Sequence, residues 1–256
     1  MNQPIEPVPV LPQEPRVAVV RFAHVDAAGI VFYPRYFEIA AATFPELAPP
    51  DAPFELETEF RKATPLGTRI SLAVEAATDG WRLTGMLEQD VHFTMRYRRQ
   101  RTATLGQEDH QPERPAFCSD PMPVRDWAAG PNGRLHLSRY YELVNSAVEQ
   151  WFERALHTPF PRLHQEHASI PTVMLATRCR GLPRLEEEVR IWIRPGRIGG
   201  RSVHFDSWLV GPDGCLAQTS QVIVFAGIGP GGLHSIAIPR ALRQAFAAQL
   251  ASTSPG

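Results

Sequence analysis

The chain has 256 residues, of which 43% are hydrophobic and 21% charged, with a formal net charge of -1. That is enough for one large domain or two ordinary ones, and it supplies no global field to recruit nucleic acid or an anionic membrane. No apolar run approaches a membrane span and no charged-then-apolar leader opens the sequence, so a cytoplasmic protein without membrane contact is expected.

Residues 1–15 carry five prolines and few core candidates, which predicts a flexible or polyproline-type arm. The stretch from Arg21 to Glu38, RFAHVDAAGIVFYPRYFE, reads as a strand, a loop bearing Asp26, and then a helix. Gly29 lets the backbone pass close to a ligand, and Pro34 suits the first turn of a helix. Free N–H groups around Ile30 to Tyr33 would then face whatever sits beside Asp26. A carboxylate next to such donors can hydrolyse an activated carbonyl. The same residues also allow a capped turn in which Asp26 merely accepts backbone N–H groups.

The run Asp26-Ala27-Ala28-Gly29-Ile30-Val31-Phe32-Tyr33-Pro34 resembles the signature of hotdog-fold acyl-CoA thioesterases of the 4-hydroxybenzoyl-CoA thioesterase type, Asp-Pro-Ala-Gly-Ile-Val-aromatic-Tyr-Pro. Ala27 replaces the family proline. The resemblance implies that Asp26 is the nucleophile or general base and that the Tyr33 N–H polarises the thioester carbonyl. Gly29 shapes the turn, and Val31 and Phe32 lie on the substrate side. It implies an acyl-CoA or acyl carrier protein thioester as substrate, no cofactor, and a homo-oligomer.

The first helix is expected from about Pro34 to the break at Phe44-Pro45. Beyond it Ile70, Leu72 and Val74 alternate with Arg69, Ser71 and Ala73, the pattern of a strand with one apolar face. Arg99 to Pro115 is polar and punctuated by Pro and Gly, and reads as a linker. After it the pattern repeats. Gly29 to Ile39, GIVFYPRYFEI, aligns without gaps to Gly133 to Leu143, GRLHLSRYYEL, and both continue into β-rich sequence. In the second copy Ser138 is the expected N-cap, and Tyr140, Val144, Ala147, Trp151 and Ala155 form a helical stripe. Gly211-Pro212-Asp213-Gly214 reads as a hairpin turn, and Val222 to Phe225 as a strand covered on both faces. Pro239 to Gln249 is expected to form a C-terminal helix, with a loose tail from Ala251 to Gly256.

The fold class expected is therefore α+β: two tandem hotdog units, each a long helix wrapped by a curved antiparallel sheet, packed as a pseudo-dimer. The boundaries are 16–99 for the first unit, 100–115 for the linker and 116–250 for the second. The position matching Asp26 in the second unit is Gly130, so one catalytic centre per chain is expected.

His24, two residues before Asp26, would share its face in an extended segment and could tune it. Arg96 and Arg98 at a strand end, or Arg197 and Arg201 around a Gly-Gly turn, could hold the coenzyme A phosphates; a charge-guarded strand edge explains them equally. Glu38 and Glu142 occupy matched helix positions; some hotdog thioesterases work from a helix carboxylate, but because both halves keep the residue a scaffold hydrogen bond to the sheet is the reading preferred. His164-x-x-His167 has metal-pair spacing but no third ligand nearby, so no metal is expected. Cys118, Cys179 and Cys215 show no CxxC pattern and read as free thiols. Lys62, the only lysine, lacks signs of the desolvation that Schiff-base chemistry requires. The competing readings are an acyl-thioester hydratase or dehydratase, whose Gly-Asp-x-Asn-Pro-x-His type of motif is missing, and a non-catalytic acyl-thioester-binding scaffold.

Overall fold

The structure, a computed structural model, describes residues 14–47, 53–100, 114–130, 132–166, 168–229 and 232–253. Most of the N-terminal arm and of the linker lies outside the described residues.

Strand β1 (Arg16–Val19) leads through a 3-10 turn (Phe22–His24) to helix α1 (Arg35–Thr43). Four strands follow: β2 (Phe54–Phe60), β3 (Arg69–Ala77), β4 (Gly80–Leu87) and β5 (Asp90–Arg99). The second half opens with short strands β6 (Phe117–Cys118) and β7 (Met122–Pro123), a 3-10 turn (Asp126–Ala128) and helix α2 (Leu137–Arg154). Helix α3 (Phe160–Gln165) and β8 (Ala168–Ser169) precede β9 (Thr172–Cys179), β10 (Glu188–Ile198), β11 (Ser202–Gly211) and β12 (Gly214–Val224). A small β13 (Ala226–Gly229) and β14 (Gly232–Ser235) hairpin and helix α4 (Arg240–Thr253) complete the described chain.

The main sheet is antiparallel with strand order β1-β3-β4-β5-β2-β9-β12-β11-β10-β6. Outward from the central β2–β9 pair, each side presents its strands in the same sequence, so the order is a palindrome of the two halves. Phe54↔Cys179 through Glu59↔Met174 join them into one sheet.

Alternation puts one side chain in two beneath the helices. Ile70 and Leu72 of β3 are buried, as are Ala217, Thr219, Gln221 and Ile223 of β12. Val222 and Val224 are only half-buried, so the apolar run there has one fully buried face rather than two. Helix α2 buries Tyr140, Val144, Ala147 and Trp151, as its periodicity predicts. The N-cap, however, is His136, whose Nδ1 accepts from the Ser138 N–H; Ser138 itself is buried in the first turn. The phenyl ring of Phe37 in α1 stacks on Tyr141 in α2 at 4.2 Å. The Pro212-Asp213 turn joins β11 to β12 as expected, with Gly211 opposite Gly214. Helix α4 continues to Thr253, so the first three residues of the expected tail, Ala251 to Thr253, are helical, and the remainder lies outside the described residues. Leu242 and Phe246 of α4, and Ile238 just before it, are buried.

Candidate functional site

The Asp26 turn is built almost wholly from backbone hydrogen bonds. Asp26 N–H donates to Ile30 O (2.9 Å) and Gly29 N–H to Asp26 O (3.0 Å). Gly29 has φ +73°, a left-handed conformation that glycine adopts without strain. Val25 and Val31 bridge across the base of the loop. The second half repeats this turn. Gly130 N–H donates to Arg134 O (2.7 Å), Gly133 N–H donates to Gly130 O (3.0 Å) at φ +70°, and Ala129 bridges Leu135.

The difference lies in the side chains. Asp26 accepts a hydrogen bond from the Ala28 N–H at 2.8 Å, and the Ile30 N–H also stabilises its carboxylate. In the second half Asn132 stands in: its Oδ1 accepts from the Arg134 N–H at 3.2 Å and lies 3.3 Å from where a Cβ on Gly130 would be. The amide preserves the turn and removes the carboxylate.

Desolvation pushes the Asp26 carboxyl above its ordinary value, partly offset by the Ala28 and Ile30 N–H groups and by His164. Asp26 still has an exposed surface, although protein atoms crowd round it. Water therefore reaches the carboxylate and screens part of this effect.

Among residues 30–33 two backbone donors, Ile30 and Tyr33, make no hydrogen bond of ordinary geometry within the described residues. Val31 N–H donates to Thr64 O (2.9 Å) and Phe32 N–H to His24 O (3.0 Å), while the Ile30 N–H favours the charged form of Asp26. Tyr33 N–H has no protein acceptor among the described residues, and the following residue, Pro34, has no N–H to offer. The site thus holds a carboxylate and, just before a helix start, an unpaired amide donor at Tyr33.

Not all residues singled out in the sequence gather here. Val31 is buried in the core as a rung of the turn, and Phe32 packs edge-on to Tyr33 at 5.5 Å. His24 lies in the 3-10 turn rather than an extended strand; its Nδ1 accepts from the Arg21 N–H at 3.1 Å. Burial lowers the His24 pKa, and the charges acting on it are Glu38, Arg35 and Arg21, not Asp26. Arg35 bridges Glu38 (2.6 Å) and Glu142 (2.9 Å), and Arg139 also pairs with Glu142 (2.7 Å), so both glutamates act as scaffold.

Strand registers separate the two arginine groups. Thr94, Glu59, Met174, Val222 and His204 lie level across the sheet. The Asp26 turn, the end of β2 and the β10–β11 hairpin with Arg197 and Arg201 lie toward one end. Arg96 and Arg98 lie toward the other, on the face turned away from the helices, and pair with Glu57 and Glu55. Strand β5 is paired on both sides, with β4 and β2, so these arginines guard no sheet edge, and they lie at the end of the sheet away from the Asp26 turn.

Sequence reasoning missed several neighbours. The Tyr36 hydroxyl, pushed up to about 12 chiefly by burial and also by Asp26, donates to Thr64 Oγ1 at 2.9 Å, which in turn meets His92 Nδ1 at 2.9 Å. From the second half, His164 acts electrostatically on both Asp26 and Glu149. Burial raises the Glu149 carboxyl, which accepts from Asn145 Nδ2 at 2.7 Å. Tyr33 reaches across to donate its hydroxyl to Tyr141 O at 3.1 Å, close to Gln221 and Glu149. Only Asn145 and Glu149 carried a signal, as one helical turn apart on a single face. Among the described residues no group of three or more His, Cys, Asp or Glu could hold a metal ion.

No family model matches the chain, and no curated protein matches it in sequence. Solved structures do match. A putative oleoyl thioesterase from Lactobacillus plantarum is similar over 82% of this chain and 95% of its own, at 11% identity and a TM-score of 0.59. A 1,4-dihydroxy-2-naphthoyl-CoA thioesterase from Synechocystis matches 51% of this chain and 95% of its own, at 11% identity and a TM-score of 0.46. A gentisyl-coenzyme A thioesterase matches 51% of this chain and 99% of its own, at 16% identity and a TM-score of 0.46. The first likeness shows the fold: α+β, a large antiparallel sheet with few helices, of hotdog type.

Proposed function

We propose that the chain is a tandem double-hotdog acyl-CoA thioesterase with one hydrolytic centre, in which the two units pack as a pseudo-dimer. The observation that carries this is a turn that holds the Asp26 carboxylate and runs on to the free Tyr33 N–H, and whose duplicate keeps its backbone and lacks the acid. The palindromic strand order and the Phe37–Tyr141 stack between the helices support the pseudo-dimer.

A thioester carbonyl is electrophilic and thiolate is a tolerable leaving group, so the chemical demands are modest. In one route Asp26 takes a proton from water as the water oxygen attacks the carbonyl carbon. The oxyanion forms against the Tyr33 N–H, the C–S bond breaks, and the departing thiolate regains a proton. In the other, Asp26 attacks directly, expels the thiolate and leaves a mixed anhydride that water opens. Loss of one oxyanion donor typically costs on the order of 10²-fold to 10³-fold in rate, so the Tyr33 N–H is a substantial contributor in either route.

The acyl group proposed is aromatic or of medium chain length, lying between the halves beyond Tyr33. Arg197 and Arg201 are the better candidates for the phosphates, because they share the Asp26 end of the sheet. The test is free-thiol release from a panel of acyl-CoAs, followed with a thiol reagent. Hydrolysis supports this reading, loss of enoyl absorbance indicates a hydratase, and binding without turnover indicates a scaffold.

A further inference from the structure

One buried residue, Thr64, holds the chain on both sides of the Tyr33 N–H. Its carbonyl oxygen accepts from the Val31 N–H at 2.9 Å, two residues before that donor. Its Oγ1 accepts from the Tyr36 hydroxyl at 2.9 Å, three residues after it, in the first turn of α1. The same Oγ1 meets His92 Nδ1 on β5 at 2.9 Å, and Thr64, Tyr36 and His92 are all buried. With Tyr36 donating, the Thr64 hydroxyl proton is left for Nδ1, so the imidazole is neutral and carries its own proton on Nε2. Burial and the Lys62 charge lower the His92 pKa, against Asp90 and the Ala63 backbone, and so favour that neutral ring.

The duplicated half supplies an internal comparison. The alignment through Gly29 and Gly133 places Val31 opposite Leu135, Tyr33 opposite Leu137 and Tyr36 opposite Tyr140. Leu135 N–H donates to Pro183 O at 2.8 Å, which sets Pro183 opposite Thr64. Arg61 N–H donates to His92 O and Arg180 N–H to Leu216 O, both at 2.8 Å, which sets Leu216 opposite His92. The backbone clasp is therefore common to both units, and the side-chain clasp is not. Pro183 has no hydroxyl, Leu216 has no ring nitrogen, and the Tyr140 hydroxyl meets Thr219 Oγ1 on β12 instead, at 2.7 Å. The second turn keeps its backbone bonds and its left-handed glycine with proline and leucine in these places, so the fold does not require the polar pair. Burying a hydroxyl and an imidazole costs free energy that their mutual bonds only offset. Their presence beside the turn that kept its acid calls for another task.

We propose that Thr64 and His92 are positioning residues for the hydrolytic centre: Thr64 fixes both flanks of the Tyr33 N–H, and His92 fixes the rotamer of Thr64. An oxyanion donor acts only where its N–H is aimed at the developing charge, and a small misplacement forfeits much of its contribution. The backbone bond to Val31 sets the strand side of the donor, and the Tyr36–Thr64–His92 chain sets the helix side. This inference rests on the thioesterase reading for its kinetic form, while the ordering of the turn is readable without any substrate.

The experiment compares Thr64→Val, which keeps the branched shape and removes the hydroxyl, with Thr64→Ser, which keeps the hydroxyl, and with His92→Leu, the residue type of the second unit. On the acyl-CoA that wild type hydrolyses best, Thr64→Val is expected to lower kcat about 10-fold to 100-fold with KM within about 2-fold, the signature of an interaction made in the transition state. Thr64→Ser should recover most of that loss, and His92→Leu should lower kcat about 3-fold to 10-fold; the leucine variant serves if the valine variant does not fold. Amide hydrogen exchange of the free proteins reads the clasp without turnover. Val31 and Tyr33 should exchange about 3-fold to 10-fold faster in Thr64→Val and His92→Leu, and Leu135 and Leu137 at the wild-type rate. A wild type that hydrolyses nothing while exchange changes in this way sinks the proposed activity and keeps the clasp. With an active wild type, an unchanged kcat in the valine and leucine variants, or a loss that serine does not recover, overturns the inference. With an inactive one, exchange that rises equally in both turns, or in neither, overturns it.

Discussion

Asp26→Asn separates the chemistry of the turn from its architecture. The carboxylate accepts from the Ala28 N–H at 2.8 Å, and the Ile30 N–H favours its charged form. An asparagine can retain one of these with its carbonyl oxygen, while its NH₂ cannot accept the other, a loss of about 0.5–1.5 kcal/mol. Against that stands removal of an ionised group that burial disfavours. For an acid whose folded pKa is raised, the destabilisation is fully present above the folded pKa and is relieved as pH falls through it toward the unfolded value. The exposed surface of Asp26 reduces this contribution through solvent screening. The two effects oppose each other, so Tm at neutral pH is expected to change little, and the difference from wild type should shift against the wild type as pH rises from acid. Activity has no such compensation. General-base catalysis contributes about 10²-fold to 10⁴-fold, and a nucleophilic role would make the loss larger. Wild-type kcat/KM should also fall as pH drops through a pKa above that of an ordinary aspartate, since the ionised form is required. Thiol release over a range of pH, alongside thermal melts, reads both quantities. Near-normal hydrolysis by the Asn variant across the panel would refute the assignment of Asp26.

The remaining predictions probe the surroundings of that carboxylate. Arg201→Ala is expected to raise KM for acyl-CoA about 3-fold to 10-fold through a lost phosphate contact, whereas Arg96→Ala and Arg98→Ala, remote and already paired with glutamates, should leave KM within about 2-fold. Tyr33→Phe removes the hydroxyl bond to Tyr141 O and is expected to cost about 0.5–1.5 kcal/mol in denaturant unfolding while kcat changes little, because the catalytic contribution is the backbone N–H. Introducing Gly130→Asp into the Asp26→Asn chain should not restore hydrolysis, since Asn132 Oδ1 sits 3.3 Å from the new Cβ and the opposing wall is closed by Tyr97.

Legibility from sequence followed the range over which each signal acts. The Asp26 turn and helix α1 could be read because Gly29, Pro34 and the alternation around them are local constraints. The α2 stripe could be read because its burial repeats with the helical period. Ser138 was misread as a cap because His136, an uncommon cap, supplies a ring nitrogen instead. His24 was misread because a 3-10 turn follows β1, and nothing in RFAHVD distinguishes that from an extended strand. Gln221 could not be read at all: on sequence it is one polar residue in an alternating strand, and its place beside Tyr33 depends on strand pairings across the two halves.

The asymmetry between the halves explains how one chain can keep a scaffold and lose a centre. The turn holds its shape through backbone bonds and a left-handed glycine, and these survive in both copies. The acid contributes to that shape only by accepting N–H groups, a task the Asn132 amide performs equally. Stability therefore places almost no constraint on the carboxylate, and retention of Asp26 with its unusual electrostatics calls for a reason outside folding. The halves also differ across the sheet. Tyr97 packs its ring on Trp81 and Phe54 while Gln221 at the matching position donates to Thr172 Oγ1, and each leaves one buried polar atom without a partner. A fused pair of units permits this division, because the first can specialise in presenting an acid while the second shapes the wall opposite to it.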